Sequence, residues 1–97
     1  MTITCPGCSH AVPLAEFLGA CTAFSPALGT VQWQCPSCAS TTDFRPVDGA
    51  VELGYVYAAG AAHFAAMDSV PTPGLAVRRE PTRLVVTHGT GRWTFAG

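Results

Sequence analysis

The chain contains no lysine. Its cations are five arginines, Arg45, Arg78, Arg79, Arg83 and Arg92, set against six acidic residues. The resulting formal charge of −1 excludes a globally basic nucleic-acid binder, although it leaves room for a local patch. Charge of either sign is scarce: 11% of residues are charged and 48% are hydrophobic, a balance too apolar for a disordered chain. Long hydrophobic runs are missing as well. The most apolar stretch, LGYVYAAGAAHFAAM from Leu53 to Met67, has 15 residues with Gly54 and Gly60 inside it, too short and too interrupted to span a bilayer. The opening residues MTITCPGC have neither the basic start nor the apolar core of a signal peptide, so a cytoplasmic location and no membrane partner are expected.

Catalytic equipment is also missing. There are no paired carboxylates, no nucleophile motif and no phosphate loop, and no His-x-Glu of the kind zinc deaminases use. The expectation is a protein that is not an enzyme.

Glycine and proline are plentiful, at ten and eight, which favours turns over long helices. Cysteine is the informative residue. Cys5-Pro6-Gly7-Cys8 returns as Cys35-Pro36-Ser37-Cys38. A Cys-x-x-Cys turn brings two sulfurs within reach of one ion, and two such turns supply four thiolates at tetrahedral corners. Zinc accepts that arrangement at about 2.3 Å per sulfur, because it has no d-electron preference of its own. Proline at the second position presets φ for the turn, and amides further along can point at the first sulfur. Gly7 tolerates an unusual backbone angle that Ser37 adopts less readily. In a reducing compartment, five cysteines read as four ligands and a spare thiol rather than as disulfides. Cys5, Cys8, Cys35 and Cys38 are therefore the expected ligands of one structural Zn2+.

The two CPxC turns resemble the paired knuckles of zinc ribbons, also called rubredoxin-like folds. The resemblance covers roughly residues 3–47 and implies a zinc held between two β-turns, with a small antiparallel sheet running from them. It departs from the family at Ser9 and Ala39, where many knuckles place glycine after the second cysteine. That departure also weakens the iron-binding rubredoxin reading. Four protein ligands leave no open position for water, so the ion is expected to be structural, supplying on the order of 10–16 kcal/mol of apparent folding free energy.

Elsewhere the sequence predicts a short helix in VPLAEFLGAC, with Val12, Phe17, Leu18 and Cys21 near helical spacing and Pro13 in the first turn. GTVQWQC alternates as a strand entering the second knuckle, and TTDFRPV returns from it. Asp48-Gly49 marks a turn before a further strand. Residues 57–68 leave helix and strand open. LAVRRE, RLVVTH and GRWTFA read as three strands; in the last hairpin Leu84 and Val86 share a face with Trp93 and Phe95, leaving Arg83 and Arg92 on the other. The fold class is small and β-rich, α+β at most: a zinc ribbon with two CPxC knuckles packed against C-terminal antiparallel strands. Residues 1–97 are expected to form a single compact domain, with sub-lobes 1–47 and 48–97.

Of the other reactive residues, Cys21 reads as a small buried hydrophobe, with no basic residue within ten positions to lower its pKa. His10 could hydrogen-bond a thiolate; His63 and His88 carry no recognisable role. The leading functional reading is a non-catalytic interaction protein whose partner is another protein chain or a second copy, met through an apolar surface around residues 53–67. The alternative is nucleic-acid binding through Arg78, Arg79, Arg83 and Arg92 beside Trp33 or Trp93. A third reading, less favoured, is electron transfer through iron in the same thiolates.

Overall fold

A computed structural model describes residues 2–55 and 68–96. The chain begins with a hairpin of β1 (Thr2–Thr4) and β2 (Ala11–Pro13), followed by a six-residue helix, α1 (Leu14–Gly19). Strands β3 (Cys21–Ser25), β4 (Thr30–Gln34), β5 (Thr41–Val47), β6 (Ala50–Tyr55) and β7 (Asp68–Pro71) form an antiparallel sheet in that spatial order. Strands β8 (Leu75–Glu80), β9 (Arg83–His88) and β10 (Gly91–Ala96) form a second sheet with β9 central. The fold is small and β-rich, as the residue pattern implied. No helix among the described residues is long and apolar enough to cross a membrane.

The helix is shorter than its sequence pattern suggested. Pro13 is the N-cap, with ψ at 145° and no helical turn of its own; Val12 belongs to β2 and Cys21 to β3. The three large apolar side chains of the helix, Leu14, Phe17 and Leu18, are nevertheless buried. Phe17 is the hub: its ring centroid lies 4.6 Å from that of Trp33 and 4.6 Å from that of Phe44, both tilted. Such pairs add about 0.5–1.5 kcal/mol each beyond their area. Leu75, Leu84 and Val86 of the second sheet join Ile3, Val12, Phe17, Trp33 and Phe44 in one buried cluster.

The five-stranded sheet runs across residue 47, pairing β5 with β6 from Thr42↔Tyr55 to Val47↔Ala50 around the Asp48-Gly49 turn. Strands from both halves of the sequence thus share one sheet. Pro46 sits in β5 beyond the last β4 pairing, Val31↔Phe44, so its missing N–H leaves no gap in the β4 ladder. Its carbonyl accepts a 2.8 Å bond from Arg79 Nη2 on β8, and Asp48 Oδ1 accepts one of 3.2 Å from the Val77 amide. These two bonds tie the sheets together beside the apolar contact. The expected apolar surface at 53–67 falls largely on residues 56–67, outside the described residues, as do His63 and the helix-or-strand question over most of 57–68.

Candidate metal centre

Each cysteine pair occupies a hairpin turn. β1 and β2 flank Cys5–His10, with Thr4 opposite Ala11; β4 and β5 flank Cys35–Ser40, with Gln34 opposite Thr41. The turns repeat each other bond for bond. The Ser9 amide donates to the Cys5 carbonyl at 2.8 Å and the Ala39 amide to the Cys35 carbonyl at 2.9 Å. The Cys5 amide donates to the His10 carbonyl at 2.7 Å, and the Cys35 amide to the Ser40 carbonyl at 3.0 Å. In both, the third residue's amide points at the first sulfur: Gly7 N to Cys5 Sγ and Ser37 N to Cys35 Sγ, each 3.4 Å. This is the amide-to-sulfur contact that the proline-containing turn was expected to provide.

Both turns close through a left-handed residue, Ser9 at φ 64° and Ala39 at φ 60°. Glycine would occupy this conformation freely, whereas an L-residue is disfavoured there by roughly 1–2 kcal/mol. Ser9 and Ala39 therefore hold a conformation that glycine would adopt without cost, and each turn carries that strain. Gly7 has the opposite explanation from the one its sequence suggested. It is not among the positive-φ residues, and what requires glycine is space: a Cβ there would lie 2.7 Å from Ser40 Oγ and 3.4 Å from Cys38 Sγ.

The hairpins bring all four sulfurs within 4.8 Å of one another. Cys5 Sγ and Cys38 Sγ are 3.7 Å apart, as are Cys8 Sγ and Cys35 Sγ, so the close pairs cross between the turns. A tetrahedron with metal–sulfur bonds of about 2.3 Å has edges of about 3.8 Å. The donor set fits a tetrahedrally coordinated metal ion. These distances far exceed a disulfide bond, and all five cysteines are free thiols. Cys5 and Cys35, first in their turns, are buried, while Cys8 and Cys38 are exposed. The four-cysteine cluster can hold a metal ion in a structural role, since its four corners are all protein sulfur.

The electrostatics of the two turns differ. Ser40 Oγ lies 2.9 Å from Cys38 Sγ and 3.6 Å from Cys5 Sγ. The Ser40 hydroxyl and amide together hold the Cys38 thiol down to about 6. At the equivalent place in the first turn stands His10, which offers Cys8 only its backbone amide. That hydrogen bond favours the Cys8 thiolate, but desolvation and the thiols of Cys38, Cys35 and Cys5 outweigh it, pushing Cys8 up to about 11. Ser40 is the one functional residue the sequence reading passed over. Its signal was available: a 30-residue offset aligns Ser40 with His10, directly after the left-handed residue.

The arginines do not form one patch. Cross-strand partners share a face, so Arg78, Arg83 and Arg92 lie on one face of the second sheet. Arg79, opposite Leu84, lies on the other, facing the first sheet and bonded to Pro46. Arg78 and Arg83 both pair with Glu80, at 3.4 Å and 2.9 Å. Leu84, Val86, Trp93 and Phe95 share the inner face, as the hairpin pattern required. Cys21 is half-buried with its thiol 3.4 Å from the Phe17 carbonyl, and burial pushes its pKa up. No known protein family, no curated protein and no solved structure matches the chain, so the four-sulfur cluster stands on its own geometry.

Proposed function

We infer that Cys5, Cys8, Cys35 and Cys38 hold one zinc ion in a zinc-ribbon-like pair of knuckles, and that the ion locks a non-catalytic protein-interaction module. The observation that carries the metal role is the crossed pair of 3.7 Å sulfur–sulfur distances, which match tetrahedral edges in a set with no corner left for water. Zinc suits an all-thiolate cage whose task is cohesion, because it is redox-inert and indifferent to d-electron geometry. The hairpins that carry the sulfurs, residues 2–13 and 30–47, lie in different sheets, so one ion would staple together elements that backbone pairing leaves separate.

An interaction role is favoured over nucleic-acid binding by the fate of the arginines. Arg78 and Arg83 share one carboxylate, and Arg79 is tied to a carbonyl between the sheets. Elemental analysis of purified protein tests the metal: one zinc per chain is expected, and a red ferric protein would point to the electron-transfer reading instead. Thermal melting with and without chelator tests the role. The metal-free protein should melt far earlier; equal melting of the two forms would end the structural assignment. Salt-dependent binding of single-stranded RNA or DNA, weakened by Arg78→Ala with Arg83→Ala, would replace the interaction reading with the nucleic-acid one.

A further inference from the structure

Between the two sheets runs a cleft of about 430 Å3, and what lines it is unusual for a surface groove. Its walls are consecutive residues of two strands, Cys21–Phe24 of β3 and Arg92–Ala96 of β10. A groove lined by a sheet's face would meet every second residue, because side chains alternate. Consecutive lining means that the strands present their edges. Topology agrees: β3 is the last strand of the five-stranded sheet and β10 the last of the three-stranded one, and neither has a second partner among the described residues.

The two edges are not equivalent. β3 is broken by a register shift between Cys21 and Ala23, an irregularity of the kind that blunts an edge against further pairing. β10 keeps regular register over all six of its residues, Gly91↔His88 to Ala96↔Arg83. His88 and Gly91 close a two-residue turn and so form a hydrogen-bonded pair. By alternation Arg92, Thr94 and Ala96 turn their N–H and C=O groups away from β9, toward the cleft. The half-buried rings of Phe24, Trp93 and Phe95 give one side of the cleft apolar character. Arg92 gives it charge, since its guanidinium has no ion pair or hydrogen bond among the described residues, unlike the other four arginines.

We propose that β10 accepts an extended peptide segment of another protein as an added antiparallel strand, one whose residues alternate between apolar and acidic. Apolar side chains would meet Trp93, Phe95 and Phe24, and acidic ones would meet Arg92. Backbone pairing supplies affinity, and the alternating side chains supply choice of partner. A second copy of this chain fits less well: β10 contains no acidic residue, so symmetric β10–β10 pairing leaves Arg92 unanswered. The proposal rests on the interaction-module reading and names the partner's chemistry.

The test titrates isotope-labelled, metal-loaded protein with the peptide (Val-Glu)4, following backbone amide resonances, up to about 1 mM. Shifts concentrated at Arg92–Ala96 and Cys21–Phe24 are expected. Arg92→Glu should weaken binding about tenfold or more, and (Val-Lys)4 should not bind. Thr94→Pro should abolish binding while leaving the β9 ladder intact, because the amide it removes faces outward. The same peptide methylated on alternate backbone nitrogens should also fail, which tests pairing without altering the protein. Absence of shifts with (Val-Glu)4, or equal binding of (Val-Lys)4, on protein that retains its metal and native spectrum overturns the strand-addition proposal alone. A dimer that Thr94→Pro dissociates overturns it in favour of a second copy. Native spectrum and stability unchanged by chelator would instead overturn the metal-locked module, whatever the peptide does.

Discussion

The two cysteine hairpins trace the same backbone thirty residues apart, from Cys5 and Cys8 to Cys35 and Cys38, yet they surround the sulfurs differently. The second turn ends in Ser40, whose hydroxyl reaches sulfurs of both turns; the first ends in His10, which contributes a backbone amide. The first turn in exchange gives up a side chain at Gly7, and the space this leaves is where Ser40 sits. One turn therefore supplies a hydroxyl and the other supplies room for it. Identical local sequence rules produced two halves of a site that are complementary rather than duplicate. What distinguishes them is the residue types at the third and sixth places of each turn, not the cysteines.

The largest effect should come from attacking what the turns share. Cys35→Ser removes a buried sulfur and should abolish stoichiometric metal binding, and with it cooperative unfolding at room temperature, measured by elemental analysis and circular dichroism. Cys8→Ser, at an exposed corner, should retain more residual metal than Cys35→Ser; equal losses would show that burial does not rank the ligands.

Next comes the complementarity itself. Gly7→Ala should destabilise the protein by about 1–3 kcal/mol through overpacking against Ser40, while Ser37→Ala at the equivalent place should be nearly neutral. Adding Ser40→Gly to Gly7→Ala should recover part of the loss in denaturant melts, since the clash is with that side chain. Ser40→Ala alone sharpens the electrostatic difference. Losing the hydroxyl raises the Cys38 pKa, so protons compete better for the sulfur and acid-induced metal release should shift to higher pH. Metal affinity should fall roughly tenfold, whereas His10→Ala should leave both quantities unchanged, because His10 acts through its backbone.

The smallest effect is a gain. Ala39→Gly relieves a left-handed alanine and should stabilise the protein by about 0.5–1 kcal/mol, after the added freedom of the unfolded chain is set against the relief. Ser9→Gly should act alike, and thermal melting would reveal any difference between the turns.

The fold was legible where one short-range rule governed it. Alternation in GTVQWQC, the β-branched run RLVVTH, the Asp48-Gly49 turn and the face shared by Leu84, Val86, Trp93 and Phe95 all follow from strand propensity, period two and turn chemistry. The short strands at Thr2–Thr4, Ala11–Pro13 and Cys21–Ser25 were not foreseen, because three to five residues carry too little pattern to outweigh neighbouring signals. At Val12 and Cys21 the helical spacing was overridden by the hairpins on either side, which claimed both residues for sheets. Four arginines within fifteen residues looked like one group until register placed Arg79 opposite Leu84, on the inner face.

By itself the sequence determined which four cysteines form a metal-binding set and the strand-rich character of this chain, because spacing and residue type act over a few bonds. Only the tertiary structure decided which sulfurs pair across the turns, why Gly7 is glycine, how Ser40 reaches two cysteines and which strand edges lack a second partner among the described residues. Those features depend on side chains from distant segments meeting in space, a distance set by the packing of Phe17, Trp33 and Phe44 rather than by any local motif.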